Sequence, residues 1–152
     1  MGRTPAEETN IYKQCRQDLD LTRAEAAELL TAITADRLEK IENGRSPVQP
    51  DEVRLMAEKY HNPYLCNYYC SHECPIGHGY VPEVQPQDIS RTILELIDSL
   101  NKLQESQNRL VSITVDGRID KSEKKDFAQI QEEIRRIRVA AEALQIWARE
   151  HA

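Results

Sequence analysis

Material for β-structure is scarce in this chain. One Phe, five Gly and seven Pro among 152 residues leave little from which to build strands and their tight turns, so an all-α protein is expected. Long apolar runs are missing too. No segment approaches the roughly 18 unbroken apolar residues that would span a bilayer, and the opening MGRTPAEETNIYK lacks an apolar h-region, so a cytoplasmic protein without a membrane partner is expected. The chain shows no Gly-rich phosphate loop, no nucleophile elbow and no HExxH, so nothing points to catalysis and a non-enzyme is expected. Cysteine is used sparingly: four residues, three of them in the stretch CNYYCSHECP. A reducing compartment disfavours structural disulfides, so clustered cysteines read first as metal ligands or redox groups. What the chain does have is charge, 30% of all residues with a net of −6.

Five short helices are predicted in the first part. Ile11, Cys15 and Leu19 give the first an apolar stripe ending near Asp20. Thr22 and Glu25 make a capping box for AEAAELL. A third helix runs from about Thr34 to Asn43 and Gly44, where glycine can take the left-handed conformation that stops it. Pro50, followed by Asp51 and Glu52, opens a fourth that buries Val53, Met56 and Tyr60. Asn62 and Pro63 begin a fifth, YLCNYYC, which loses its geometry before Pro75. The Gly- and Pro-rich residues 76–87 then read as a linker between a domain at 1–75 and another at 88–152.

In the second domain, Ile89, Ile93, Leu96, Leu100, Leu103, Leu110 and Ile113 step by three and four, with Gln107 in the one polar slot. Phe127, Ile130, Ile134, Ile137, Ala141, Leu144 and Ala148 repeat the spacing, which predicts a long antiparallel hairpin. Leu94, Ile97, Val111, Ala140, Ala143 and Trp147 flank these stripes. A lone pair of helices would leave them wet, so a homodimer through the hairpin is expected. Between the helices, Asp116, Gly117, Asp120 and Glu123 match the back half of a calcium loop. Ser112 and Thr114 stand where its first carboxylates belong, so a capped turn is expected instead.

The stretch LTRAEAAELLTAITADRLEKIENGRSPVQPDEVRLMA resembles the helix-turn-helix domain of the XRE family, the Cro and phage-repressor class, over roughly the first third of the chain. Ala27 is small where two helices would cross, and Leu38 and Ile41 point into the core. Three positions depart from the family pattern: the usual turn glycine is Thr31, one extra residue lies between Leu30 and Leu38, and the usual glutamine opening the second helix is Arg23. The resemblance implies that Thr34, Ala35, Asp36, Arg37 and Lys40 face bases, with Arg23, Asn43 and Arg45 near phosphates. It thus implies a sequence-specific DNA-binding transcriptional regulator of bacterial or phage type, with double-stranded DNA as partner. Residues 1–62 carry nine Lys or Arg against twelve Asp or Glu, so an adaptor that uses an acidic helix-turn-helix surface for protein contacts is the alternative.

In the resembling family a fifth helix commonly packs on the first, which would bring Cys15 to Cys66, Cys70 and Cys74 as a fourth thiolate. An unbroken helix would hold Cys66 and Cys74 about 12 Å apart, too far to share one ion, so the chain must turn after Cys70 for all three to do so. Structural zinc is the expected occupant. An iron–sulfur cluster, which would make the protein a redox-sensing regulator, is the alternative.

Overall fold

A computed structural model describes residues 10–85 and 88–152. Residues 1–9 and Pro86–Gln87, which belong to the expected first domain and linker, lie outside the described residues. The chain divides into two compact units, residues 1–78 and 79–152. Every regular element among the described residues is helical, so the fold class is all-α.

The first unit holds α1 (Ile11–Asp18), α2 (Arg23–Leu30), α3 (Ala35–Glu42), α4 (Pro50–Lys59) and α5 (Tyr64–Tyr68). Each helix starts where its sequence provides a partner for free amides. The Asn10 carboxamide accepts from the Tyr12 and Lys13 amides, and Thr22 and Glu25 close the capping box of α2. Thr34 accepts from the Arg37 amide, and Pro50 sits in the first turn of α4. Gly44, at φ +65°, follows the end of α3. The core gathers Tyr12, Leu30, Leu38, Val53, Met56 and Leu65. Helix α1 is shorter than its apolar stripe suggested: it ends at Asp18, and Leu19 is exposed while Tyr12 and Arg16 are buried with Cys15.

Beyond α5 the chain winds into a single π-helical turn, Tyr69–Glu73, and becomes extended at Cys74. Pro75 explains the stop, because its ring excludes helical geometry for the preceding residue. Gly77 then comes back against the turn. A Cβ placed there would stand 2.1 Å from the Cys70 carbonyl oxygen, so no other residue fits without backbone movement.

The second unit contains α6 (Ile89–Glu105), α7 (Gln107–Thr114) and α8 (Lys124–His151). Helices α6 and α8 pack as an antiparallel hairpin, and a 2.7 Å ion pair from Arg109 to Asp126 ties its closed end. Before α8, the Asp120 carboxylate accepts from the Ser122 and Glu123 amides while Glu123 accepts from the Asp120 amide, the arrangement of a capped turn. The seam differs from the expected stripe. It follows Thr92, Leu96, Ser99, Leu103, Leu110 and Ile113, of which Thr92, Ser99 and Ile113 are buried, whereas Ile93 and Leu100 are exposed. The steps alternate four and three within each helix, with one step of seven across the break between α6 and α7, the spacing of two helices packed nearly parallel to one line. Small Thr92 and Ser99 are buried in the seam although neither is apolar, and their size lets the backbones approach.

Candidate nucleic-acid interface

Helix α3 packs against α1 and α2, and two charged brackets hold it to α1, α2 and α4. The first is buried. The Arg16 guanidinium places Nε 2.6 Å and a terminal nitrogen 2.8 Å from the two oxygens of Glu42, and Arg23 Nε reaches the same carboxylate at 2.8 Å. Side-chain exposure is 9% for Arg16, 1% for Glu42 and 36% for Arg23. Arg16 also donates to the Leu21 carbonyl. Burial alone would raise the Glu42 carboxyl, yet the two guanidiniums outweigh it and hold the group below the usual range. Beside it, the Tyr60 hydroxyl is buried without a hydrogen-bond partner among the described residues, and burial pushes its pKa up to about 12.

The second bracket joins α3 to α4. Arg37 binds Glu52 through two parallel contacts of 2.6 and 2.7 Å, and donates to the Ser46 hydroxyl and the Pro47 carbonyl. The guanidinium beside Glu52 holds that carboxyl below its ordinary value. A planar fork that meets a carboxylate on two oxygens is strongly fixed in orientation. At the far end, the Asn10 carboxamide donates to the Ile41 carbonyl at 3.0 Å and ties α1 to the last turn of α3.

These brackets sort the residues expected at DNA. Thr34, Asp36, Lys40 and Asn43 are exposed along α3, with Ala35 and Glu39 half-buried. Arg45 is exposed and makes a loose 3.6 Å contact with Glu39. Arg37 does not project freely, because its whole guanidinium is engaged with Glu52, Ser46 and Pro47, whereas Arg23 meets Glu42 through Nε alone and stays 36% exposed. The expectations for these two arginines rested on sequence position, which carries no information about acids brought close by folding. Glu52 is expected from the sequence only as a helix-opening acid of α4, and neither Glu42 nor the buried Arg16 is among the expected site residues. The signal for Glu42 was its place four residues after Leu38, which puts a carboxylate on the inward face of α3.

The turn between α2 and α3 carries strain. Thr31 adopts φ +56°, in the region where the resembling family uses glycine. A β-branched residue is disfavoured there, and the side chain compensates in part by donating to the Leu30 carbonyl at 2.7 Å.

The cysteines lie on α1, on α5 and in the π-helical turn and the residue after it. Cys15 is buried in the core, where Asn62 donates to its sulfur at 3.1 Å and burial raises its thiol pKa. Cys66 packs at the margin of that core, and the Cys74 sulfur accepts from the Gly77 amide at 3.4 Å. Among the described residues, no three His, Cys, Asp or Glu side chains converge as metal ligands. The segment is fastened instead by hydrogen bonds: the Tyr12 hydroxyl donates to Glu73 at 3.1 Å, and the His78 ring meets the Ser71 carbonyl at 3.1 Å.

Residues 13–63, which span α1 to α4 and the brackets, match the family model described as a helix-turn-helix domain. This segment of the first unit is similar to helix-turn-helix domains of the XRE-like kind. Comparisons with curated proteins and with solved structures found no match. No described helix is long and apolar enough to cross a membrane.

Proposed function

We propose that the protein is a sequence-specific DNA-binding transcriptional regulator of bacterial or phage type that works as a homodimer. The observation that carries this is the family match together with the two brackets, which fix the α3 face in one orientation without using its outer residues. A recognition helix must present its N-terminal residues to base edges in the major groove, and a rigidly held helix makes that presentation specific. Thr34, Ala35, Asp36 and Lys40 are the base-facing set, where Lys40 donates to guanine acceptors and Asp36 accepts from cytosine N4. Asn43 and Arg45 reach phosphates at the end of α3, while Arg23 and Arg37 position the helix. The hairpin of the second unit joins two copies, so that two recognition helices address half-sites about one helical turn apart.

A second reading rests on the acids Asp36 and Glu39 on α3, which favour a basic protein partner over a phosphate backbone. Selection from a random duplex pool with the full-length protein separates the two. Enrichment of a two-fold symmetric sequence supports the regulator. Failure to retain any duplex at low salt supports the adaptor. For the cysteine segment a bound zinc ion or iron–sulfur cluster is the proposal, and it rests on the spacing of Cys66, Cys70 and Cys74, whose side chains do not converge among the described residues. No step of DNA recognition runs through it.

A further inference from the structure

The two sides of the hairpin differ sharply in charge. Because α6 and α8 run antiparallel, moving one residue beyond the seam on each helix leads to the same side of the pair, and moving one residue before it leads to the other. On the preceding side of α6 and α7 stand Arg91, Glu95, Asp98, Lys102, Glu105 and Arg109, faced on α8 by Lys125, Glu132 and Arg136. Ion pairs such as Lys102–Asp98 at 2.6 Å and Arg109–Asp126 at 2.7 Å lie on this side. Clefts of about 330 and 590 Å³ along the hairpin combine charged residues, among them Glu95, Asp98, Lys102 and Glu132, with small and neutral ones such as Ser99 and Ala128.

The following side is different. Its α6 and α7 positions read Ile93, Ile97, Leu100, Gln104, Gln107 and Val111, without a single charge in a chain that is 30% charged. Ile93, Ile97, Leu100 and Val111 are all exposed. On α8 the matching positions are Phe127, Gln131, Ile134 and Ala141, with Ile134 exposed. The one cation there, Arg138, is engaged with the Tyr80 carbonyl within the same unit.

We propose that this uncharged side is the surface through which a second copy of the chain binds, forming a four-helix bundle; the proposal rests on the dimeric reading above and specifies its interface. Three features favour a second copy over a different protein. A neutral surface gives a heterologous partner no charge pattern to read, whereas it meets its own copy without repulsion. Glutamine carries both a donor and an acceptor, so Gln104 and Gln107 can satisfy the same residues of another copy across a two-fold axis. The size also fits. The positions from Ile93 to Val111 run about 27 Å along the pair, and at about 20 Å across two helices they cover on the order of 540 Å² per partner, so two copies bury about 1,100 Å², above the roughly 1,000 Å² that marks a specific interface.

The test is sedimentation of the full chain, alone and with single substitutions on each side. Wild type should be a dimer. Leu100→Asp and Ile97→Asp should raise the dissociation constant by at least about 100-fold, because each places an uncompensated charge in the buried layer. Glu95→Gln and Asp98→Asn, on the charged side, should leave it within about threefold. Circular dichroism of Leu100→Asp should retain the wild-type helical signal, since Leu100 lies outside the seam. A dimer that survives both aspartates but dissociates with the charged-side substitutions overturns the face while leaving the dimeric reading intact. A monomeric wild type overturns both.

Discussion

Removing the Glu42 carboxylate tests the buried bracket in isolation. In Glu42→Ala the Arg16 guanidinium, whose side chain is 9% exposed, keeps its charge and one carbonyl partner but loses both carboxylate oxygens. Breaking a buried pair from one side costs about 3–5 kcal/mol, because the remaining charge stays desolvated. Arg23 adds little, since it is 36% exposed and water screens it; Arg23→Ala should cost less than about 1 kcal/mol. A domain is stable by only about 5–15 kcal/mol, so Glu42→Ala should move the first unit close to its unfolding threshold. Urea denaturation followed by circular dichroism of the full chain measures this, with the first unit's transition compared between variants. The double substitution Arg16→Leu with Glu42→Leu should recover most of the loss, because an apolar pair carries no desolvated charge. A cost for Glu42→Ala below about 1 kcal/mol, or a double variant no better than the single, would refute the bracket as the element that seats α3.

Three further outcomes follow. Thr31→Gly should stabilise the first unit by about 0.5–1 kcal/mol in the same assay, since relief of the left-handed penalty exceeds the added freedom of glycine in the unfolded chain. Acid should unfold the first unit through Glu42 and Glu52: both are held low when folded, so their stabilisation is complete above the ordinary glutamate value of about 4.3 and disappears as pH falls through the depressed folded values. Glu73, raised by burial, titrates with the opposite sign, so the comparison of wild type with Glu42→Gln, which should flatten the acid limb, isolates the bracket. Elemental analysis of anaerobically prepared protein addresses the cysteines. One metal per chain that is lost in Cys70→Ser supports ligation, and metal-free protein whose stability ignores Cys70→Ser removes it.

The helix boundaries in the first unit were legible because they depend on neighbours in sequence. The Thr22 capping box, the Thr34 cap, Pro50 and the Pro75 stop each act within a few residues. The site was only half legible. Exposure of Lys40, Asp36 and Arg45 follows from their positions on α3 and beyond it, but the capture of Arg37 by Glu52 spans fifteen residues and that of Arg16 by Glu42 spans twenty-six. Spacing within a helix cannot announce such pairs. The hairpin seam was misplaced for a different reason: large aliphatic residues occupy two adjacent stripes, and Thr92 and Ser99, which decide which stripe faces inward, are not apolar.

The most direct test of the account is the affinity of Lys40→Ala for a selected duplex, for single-base variants of that duplex and for unrelated DNA, measured by fluorescence anisotropy at fixed salt. Lys40 is an exposed α3 cation away from both brackets, so its loss should cost about 1–3 kcal/mol on the selected site, or roughly 5- to 150-fold, and erase discrimination at one base position. Binding to unrelated DNA should fall far less. An equal loss on every sequence, or no loss on any, would contradict a base-reading α3.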